Sequence, residues 1–547
     1  MASLSLLLLV TWGLNLLAQS AATSSSIQIT FLNQQISMRD GIRLSTDIYI
    51  PPGNRQFPVI LARTPYNKHG SANLGTNGVE RGFAVVIQDV RGRHASEGEN
   101  LPFDQDITDG FDTLKWVSAQ PWCNGKIGTW GGSAGAITQI QLVASESPLV
   151  TCQHLVVGAP NLYTDVVYTG GVFRKALVED WLRISQFGPQ ALPRWIEHPT
   201  YDDYWIARDT SRHYPKINAP AIHVGGYWDI FAQGTIDCFR GYQEKGGPKA
   251  RGHQRLIMGP WTHGVLQEKA GELSFPGAKR PPGNPHDSWS WFDLWLRDQP
   301  KEKSNGLPIV TYYVVGDVTD KNAPGNEWRT AQSWPPLPTL PTRFFLRADK
   351  SLTMSTTDQE AVVSWTYDPN NPAPTIGGIQ LTLPAGPMDQ RALDTRSDVM
   401  VFTTQPLTTP VEVIGRVAAH LWVSTSATDT DFFATLCDVY PDGRAFNLCE
   451  GRLRTRFRHG FSKEILMTPN QVEKIELDLW STSVVFNRGH KIRLQITSSS
   501  SPGFDPNPNN GRPFRSKDPA ITATNRIHLA PNMASHLLLP ITGHHPR

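Results

Sequence analysis

The first part of the chain alternates short, almost continuous apolar runs with stretches of helical spacing. Strand-like apolar runs lie at Phe57–Arg63, Phe83–Asp89, Leu155–Pro160, Ala221–Gly226 and Arg255–Pro260. Between them, Asp109–Val117 has helical spacing, with its large apolar residues on one side. Apolar strands that alternate with helices indicate a parallel sheet covered on both faces. This part of the chain therefore predicts an α/β fold.

Other segments extend or interrupt this pattern. Ile27–Phe31 and Leu44–Ile50 are predicted to form two strands around a turn at Arg39-Asp40-Gly41. Residues 161–219 change to helix-like segments that are rich in Trp, Tyr and Arg. Because strand-like runs resume afterwards, we predict that these residues form a helical cap inserted over the strand ends. Trp289–Leu296 is predicted to begin the closing helix.

Beyond about Pro308 the apolar period becomes two. In Ile475–Leu479 and Ile492–Ile496, apolar residues alternate with polar ones, and turn signals recur between such runs. Short alternating strands between Pro- and Gly-rich loops favour a jelly-roll β-sandwich with a structural or substrate-shaping role. The predicted divisions are a targeting segment at 1–22, an α/β domain at 23–160 and 220–307, the helical cap at 161–219, and the jelly roll at 308–547.

Composition excludes several classes of protein. The 547 residues suffice for more than one domain, and 18% charged with 39% apolar residues is ordinary for a globular protein. The net charge is only +2, and the sequence lacks long runs of Lys or Arg. Nucleic acid and anionic membranes are therefore not expected partners.

The N-terminus has the composition of a targeting segment. Leu4–Val10 is strongly apolar, and Ala18–Ala22 offers small residues for cleavage. This stretch is short for a membrane span, so we predict a signal peptide and a secreted or periplasmic protein. An uncleaved anchor is the alternative, since Lys and Arg are absent near the start. No later run is apolar enough to span a bilayer.

Five cysteines are too few for a disulfide scaffold and lack the spacing of a metal site. Cys437 and Cys449 flank a turn signal and could face each other across a hairpin. Cys123 and Cys152 precede two strands that we expect to be neighbours, and they form a weaker candidate pair. The alternative for all five is burial as small apolar residues.

A glycine-rich turn carries the main chemical signal. An apolar approach ends in Gly131-Gly132-Ser133-Ala134-Gly135, and a helix-compatible run follows at Ala136–Ala144. This is the strand, sharp turn and helix of the nucleophile elbow of α/β-hydrolases. Small residues two positions before and after the serine are expected to let the turn form. The elbow would expose the Ser133 hydroxyl at the start of a helix, where developing negative charge is favoured.

A serine hydroxyl becomes nucleophilic when an imidazole takes its proton and a carboxylate holds that imidazole. On this fold both partners follow later strands, in the order Ser, Asp or Glu, His. Asp229 follows the strand at Ala221–Gly226, and His263 follows the one at Arg255–Pro260. We therefore predict a triad of Ser133, Asp229 and His263. Its rivals by composition are His94, His223, His253 and Asp237.

Tetrahedral intermediates also need hydrogen-bond donors for the oxyanion. We expect the backbone N–H of Ala134, directly after the serine, to be one of them. The second should come from the loop after the strand Phe57–Arg63, where the Tyr66 phenol can reach inward. The alternative for Tyr66 is an ordinary turn residue that packs its ring.

Several further motifs resemble those of the cocaine esterase/X-prolyl dipeptidyl peptidase family of serine hydrolases, also called CocE/NonD-type. They are Arg63–Lys68, Gln88–Arg93, Asp109–Asp112 with Trp116, Gln120–Trp122 with Asn124–Lys126, and Gly259–His263. The resemblance covers nearly the whole mature chain. It implies an α/β-hydrolase domain, a helical cap and a C-terminal jelly roll, with the same triad and with Tyr66 and Ala134 as the oxyanion hole.

The resemblance also concerns the substrate pocket. It places Phe231 where cocaine esterases have an aromatic wall of the acyl pocket, and we predict Trp228 and Trp261 in the same pocket. The sequence departs from the family at Ala134, where a Tyr is usual. It also has Ile230–Gln233 where amino-acid ester hydrolases carry a pair of carboxylates for the substrate ammonium. An apolar stretch does not offset the cost of burying a cation.

The sequence thus predicts a serine hydrolase that cleaves small-molecule esters or amides through an acyl-enzyme, without metal or organic cofactor. The alternatives are an X-Pro dipeptidyl peptidase and a β-lactam or amino-acid ester acylase, which differ in how the substrate amine is recognised. A remoter alternative is an inactive hydrolase-fold protein that only binds its ligand.

Overall fold

The computed structural model describes residues 29–543, apart from 298–306, 337 and 357–358. The predicted signal peptide, residues 1–22, and the start of the predicted strand Ile27–Phe31 lie outside the described residues. Within the described part of the chain, every helix is too short or too polar to serve as a bilayer span.

A ten-stranded sheet organises the N-terminal domain. Through residue 331 the strands β1 to β14 are, in chain order, Thr30–Ser37, Arg43–Ile50, Phe57–Thr64, Ala84–Asp89, Cys123–Gly132, Val150–Val156, Tyr168–Thr169, Val172–Phe173, Ala221–Gly226, Arg255–Gly259, Lys269–Ala270, Leu273–Ser274, Val310–Val314 and Glu327–Ala331. The sheet has the order β1-β2-β4-β3-β5-β6-β9-β10-β13-β14. Its strands run parallel from β4 to β13, and antiparallel partners flank them at both edges.

Helices cover this sheet, as the alternation of apolar runs predicts. The α-helices α1 to α8 are Ala72–Glu80, Asp106–Ser118, Ala134–Ala144, Lys175–Ile184, Ala191–Ile196, Asp203–Ile206, Ala232–Arg240 and Ser288–Leu296. Shorter 3₁₀ or π turns lie at Lys68–Ser71, Leu162–Val167, Thr210–Lys216, Gly241–Lys245, Gln390–Leu393 and Thr455–Phe457. All eleven residues of α3, the helix after Ser133, are buried. A helix that is enclosed all round holds its N-terminus in a fixed place.

The structure changes the limits of one predicted strand and extends the first sheet beyond residue 308. The predicted strand at Leu155–Pro160 lies at Val150–Val156, and it ends where Val157 takes a left-handed φ of 47°. The predicted start of the second domain at residue 308 precedes β13, which pairs in parallel with β10 in the first sheet. All five residues of β13 are buried, because a strand inside a covered parallel sheet is apolar on both faces.

The C-terminal region is built from antiparallel strands. Strands β15 to β26 are Thr339–Leu346, Leu352–Thr353, Ala361–Tyr367, Met400–Thr403, Val411–Thr425, Asp431–Val439, Ala445–Arg454, Glu473–Phe486, Lys491–Thr497, Ala523–Ala530, Met533–Ala534 and His536–Thr542. They form an eight-stranded and a four-stranded sheet, whose inward side chains share one apolar core. The alternating residues of Ile475–Leu479 and Ile492–Ile496 contribute to that core. The predicted fold class, an α/β-hydrolase domain followed by a β domain, is confirmed.

Neither candidate disulfide forms, and all five cysteines are free and buried. In the β20–β21 pairing Cys437 lies opposite Asn447, whereas Cys449 lies opposite Leu436. Successive strand residues point to opposite faces, so the two thiols belong to different faces of the sheet. Cys123 and Cys152 lie on neighbouring strands, but Cys152 pairs with Gly128, five residues beyond Cys123. That offset separates them by roughly 16 Å along the strand.

Candidate active site

Ser133 lies on a sharp turn between β5 and α3, as the elbow motif predicts. Its backbone has a φ of 58° and a ψ of −126°, a region that residues with a side chain rarely adopt. A Cβ on Gly131 would lie 2.8 Å from the carbonyl oxygen of Gly135, so the turn needs glycine at 131. A Cβ on Gly135 would meet nothing closer than 3.7 Å. The close backbone contact therefore requires glycine at position 131, whereas position 135 has room for a Cβ.

The two predicted partners of Ser133 lie on neighbouring loops at the same sheet edge. Asp229 follows β9 and His263 follows β10, and these strands pair in parallel. Backbone hydrogen bonds join the loops: the Trp228 amide donates to the Trp261 carbonyl over 3.0 Å. The structure brings the three side chains together from positions far apart in sequence.

The three side chains form one hydrogen-bonded chain. His263 Nε2 lies 2.8 Å from Ser133 Oγ, and His263 Nδ1 lies 2.5 Å from Asp229 Oδ2. Because a carboxylate only accepts, the proton on the ring belongs on Nδ1, and Nε2 is left to accept from the serine hydroxyl. Asp229 is completely buried, and its Oδ1 accepts from the Phe231 amide over 2.8 Å. Both oxygens of this carboxylate are thus fixed in place.

Gly226, at the end of β9, controls the spacing of the two loops. A Cβ at this position would lie 2.3 Å from the Trp261 carbonyl oxygen, which is a backbone atom and cannot turn aside. We expect Gly226→Ala to push the Asp229 and His263 loops apart. The free energy of unfolding should fall by about 1–3 kcal/mol, and kcat should fall about 10²-fold because the triad is misplaced.

Denaturant melts and steady-state kinetics test this prediction. Gly70→Ala is the control, because a Cβ there would meet no atom within 4 Å. It should leave both quantities nearly unchanged. Wild-type kcat in Gly226→Ala would show that the loops adjust without loss of geometry.

Tyr66 points its hydroxyl at the elbow. The residue is 42% exposed overall, but its hydroxyl accepts from the Trp181 indole N–H over 2.8 Å and interacts with the Ser133 side chain and the Ala134 amide. Loss of water around the hydroxyl raises the pKa of Tyr66, although these three interactions oppose that shift. The phenol is therefore protonated at neutral pH and offers its O–H beside the Ala134 N–H.

A pocket opens directly beside Ser133. Its lining residues other than Ser133 are all apolar: Phe103, Ala134, Ile137, Val166, Leu177, Val178, Trp181, Trp195, Ile230, Phe231 and Leu381. Phe231 lies here, as predicted, and its ring meets the His263 imidazole edge-on with centroids 5.7 Å apart. Of the ten other apolar lining residues, five come from residues 161–219, where the sequence shows only a general richness in Trp, Tyr and Arg.

One pocket residue comes from the C-terminal region. Leu381 lines the pocket near a buried arginine, Arg174. Arg174 donates to backbone carbonyls of three segments and so links the segment of Leu381 to the first domain. Its guanidinium donates to Asp165 over 2.8 Å, to Ile230 over 2.9 Å and to Ile379 over 3.3 Å. No local sequence pattern marks Leu381, because its role depends on a contact between distant segments.

The structure places the other two predicted pocket residues elsewhere. Trp228 stacks on Phe275 and donates its indole N–H to the Asn447 carbonyl over 3.0 Å. Trp261 donates to the Ala278 carbonyl over 3.2 Å. Both rings are buried and anchor the triad loops from behind. Their nearness in sequence to Asp229 and His263 does not place them on the pocket side.

The rival titratable residues have other partners. His223 lies inside the sheet against Gln254, and burial lowers its pKa to about 4. His94 contacts the Pro65 carbonyl, and His253 packs edge-on against Trp295. Asp237 lies in α7, where it accepts from Gln233. Within the described part of the chain, no three His, Cys, Asp or Glu side chains are grouped as metal ligands would be.

A second cavity, lined by Arg91 and by several carboxylates between Glu99 and Asp109, does not include Ser133. Three of its four carboxylates have cationic partners: Asp109 pairs with Arg91 at 2.6 Å, Asp106 with Arg63 at 2.9 Å, and Asp104 with Arg208. Paired carboxylates do not compete with the arrangement at Ser133 as a candidate for acyl chemistry.

The arrangement at Ser133 can remove a proton from a hydroxyl and hold a negatively charged oxygen beside it. Comparison with known proteins agrees with that chemistry. The model of the X-Pro dipeptidyl-peptidase (S15) family matches residues 40–190 and 183–265, and that of the X-Pro dipeptidyl-peptidase C-terminal non-catalytic domain matches 303–538. A cocaine esterase of Rhodococcus is 31% identical, over 93% of this chain and 98% of its own.

Solved structures share the fold over nearly the whole chain. An aminopeptidase of a marine sediment archaeon (Thaumarchaeota) superposes with a TM-score of 0.79 at 24% identity, covering 97% of this chain and 99% of its own. An α-amino acid ester hydrolase superposes with a TM-score of 0.77 at 24% identity, covering 96% and 98%. With a cocaine esterase at 31% identity and both domain models matched, this chain belongs to the cocaine esterase/X-Pro dipeptidyl-peptidase (S15) family of serine hydrolases.

Proposed function

We propose that this protein is an exported carboxylesterase that transfers an apolar acyl group to Ser133 and then to water. The observation that carries the proposal is the hydrogen-bonded chain Asp229–His263–Ser133 beside a pocket with an apolar wall. Export is proposed from the predicted signal peptide at residues 1–22. The mass of the protein recovered outside the cytoplasm would show whether cleavage occurs near residue 22.

In the proposed mechanism, Ser133 Oγ bonds to the ester carbonyl carbon as its proton passes to His263 Nε2. The carbonyl oxygen becomes an oxyanion that accepts from the Tyr66 hydroxyl and the Ala134 amide. Asp229 stabilises the imidazolium and keeps the ring oriented. The carbon–oxygen bond to the leaving group then breaks, and the alkoxide takes the proton from His263. Water repeats these steps on the acyl-enzyme, releases the acid and restores the serine hydroxyl.

The pocket wall supports an apolar acyl group. None of the described lining residues carries a charge, and a substrate ammonium placed there would lose its hydration without an ionic partner. The related aminopeptidase and α-amino acid ester hydrolase are named for substrates with a free amine. The wall at Phe231, Trp181 and Leu381 favours the uncharged isosteres of such substrates.

A matched substrate pair tests this preference. Methyl phenylacetate and methyl phenylglycinate differ by one amine, which is protonated at moderately acidic pH. We expect kcat/KM for the uncharged ester to exceed that for the amine at least about 10-fold. The reason is that burying a cation without an ionic partner costs several kcal/mol of binding free energy. Gly-Pro and Ala-Pro anilides should be turned over more slowly still. Faster cleavage of the amine or of either anilide would identify an amine-directed hydrolase instead.

A further inference from the structure

The hydroxyl of Tyr66 has a partner that the proposed mechanism does not use. Trp181 lies on α4, in the segment between β6 and β9, and its indole N–H donates to the Tyr66 hydroxyl over 2.8 Å. The indole N–H is a donor only. The direction of this hydrogen bond is therefore fixed: Tyr66 accepts it and keeps its own proton for another acceptor.

Trp181 is held in a fixed orientation by the rings around it. Its indole is nearly parallel to Phe103, with centroids 5.6 Å apart and 4° between the planes. The ring of Trp195 is also parallel, at 6.3 Å and 7°, and Phe187 packs at 4.8 Å. Offset parallel stacking of this kind resists rotation of the indole. The N–H is consequently aimed at one point, where the Tyr66 oxygen lies.

Arg93 ties the two backbone segments that carry this pair. Its Nε donates to the Pro65 carbonyl over 2.9 Å, directly before Tyr66. Its terminal nitrogens donate to the Gln186 carbonyl over 2.7 Å and to the Ser185 carbonyl. These carbonyls follow the C-terminal end of α4, where a cation is favoured. Arg93 is only 4% exposed, so water does not compete for these hydrogen bonds. They hold α4 and the Tyr66 loop in a fixed relative position.

A hydrogen bond accepted by a phenol oxygen has two effects on its O–H. It occupies one lone pair, so the proton points away from Trp181 and toward the space beside Ser133. It also draws electron density from the oxygen, which strengthens the hydrogen bond that the O–H donates. The Trp181 interaction lowers the pKa of Tyr66 against the rise that burial causes, in agreement with this polarisation.

We propose that Trp181 is a positioning residue of the oxyanion hole: by donating to Tyr66 it orients and strengthens the O–H that stabilises the tetrahedral intermediate. The proposal rests on the oxyanion role given to Tyr66 under the proposed function. It assigns residues 161–219 a part in the chemical step in addition to shaping the pocket. If Trp181 served only as a pocket wall, its effect would be on substrate binding and independent of Tyr66.

A double-mutant cycle distinguishes these roles. Kinetics of Trp181→Phe, Tyr66→Phe and the double variant are measured with methyl phenylacetate. We expect Tyr66→Phe to reduce kcat about 10²-fold and Trp181→Phe about 10-fold, the latter with little change in KM. In the Tyr66→Phe background, Trp181→Phe should change kcat less than about 2-fold, since the hydrogen bond is already lost.

Two further variants separate the N–H from the ring. Benzothienylalanine at position 181 replaces the indole N–H with sulfur at nearly the same volume, and it should reproduce the kcat loss even if Trp181→Phe folds poorly. Leu381→Val is the matched control, because Leu381 lines the same pocket from the C-terminal region but has neither a donor for the Tyr66 hydroxyl nor a ring that stacks on Trp181. Its effect should be the same with and without the Tyr66 hydroxyl.

The possible failures are distinct. The positioning role would be overturned if Trp181→Phe lowered kcat equally with and without the Tyr66 hydroxyl. Wild-type kcat with benzothienylalanine at position 181 would also overturn it. In both cases Tyr66→Phe alone would still have a reduced kcat. Unchanged turnover in Tyr66→Phe would instead remove the oxyanion role of Tyr66 from the proposed function. Circular dichroism melts of each variant ensure that kcat refers to folded protein.

Discussion

Replacing Ser133 by alanine is expected to lower kcat by a factor of about 10⁴ to 10⁶ for every ester that the wild type cleaves. The hydroxyl is the nucleophile in the proposed mechanism, and water cannot occupy its place on the strained turn with the same geometry. KM should change little, because the pocket wall and the donors at Tyr66 and Ala134 remain. Steady-state kinetics with methyl phenylacetate measure the change.

Labelling gives a second measurement of the same residue. A fluorophosphonate probe should attach to Ser133 in the wild type and fail to label Ser133→Ala. Ser118→Ala is the control: its hydroxyl donates to the Lys115 carbonyl at the end of α2, so kcat and labelling should stay at wild-type levels. Retention of a tenth or more of wild-type kcat in Ser133→Ala would mean that another group is the nucleophile.

The second large effect is expected at Asp229. In Asp229→Asn the Phe231 amide still needs an acceptor and holds the side-chain oxygen, as it now holds Oδ1 over 2.8 Å. The new amide nitrogen then faces His263 Nδ1 as a donor. The ring proton is forced to Nε2, which can no longer accept the proton of Ser133. We expect kcat to fall about 10⁴-fold with KM nearly unchanged.

Asp237→Asn is the control for this substitution, since Asp237 is the neighbouring carboxylate on α7 and its side chain accepts from Gln233 and pairs with Arg416 at 3.5 Å. It should keep kcat within about 2-fold of the wild type. The imidazole tautomer can also be followed directly by ¹⁵N NMR of His263. If Asp229→Asn kept both the Nδ1 proton and most of the activity, the carboxylate would not be what sets the tautomer.

Much of the site can be predicted from local sequence. A nucleophile elbow needs small residues around its serine, and the order of strands confines the partner carboxylate and imidazole to two loops. These constraints are local. Gly131 must lack a side chain because it lies against the Gly135 carbonyl, and Asp229 and His263 closely follow strands that are predicted from apolar runs. Parallel strands end at one sheet edge, so topology alone places such residues close together.

The pocket could not be predicted in the same way. The family resemblance predicts Phe231 in the pocket. Trp228 and Trp261 are just as near to the triad residues in sequence, but their rings point into the protein interior. The Trp181 contact with Tyr66 spans 115 residues. Stacking partners and domain packing determine such contacts, and neither leaves a periodic signal in the chain.

By itself, the sequence determined the classes of secondary structure, the fold class and the set of groups capable of acyl chemistry, because periodicity, turn residues and motif order are properties of contiguous residues. Only the tertiary structure decided which aromatic rings face Ser133, that Leu381 reaches it from the C-terminal region, and that Cys437 and Cys449 lie on opposite faces of a sheet. These depend on strand register and on contacts between distant segments, which are settled when the whole chain packs.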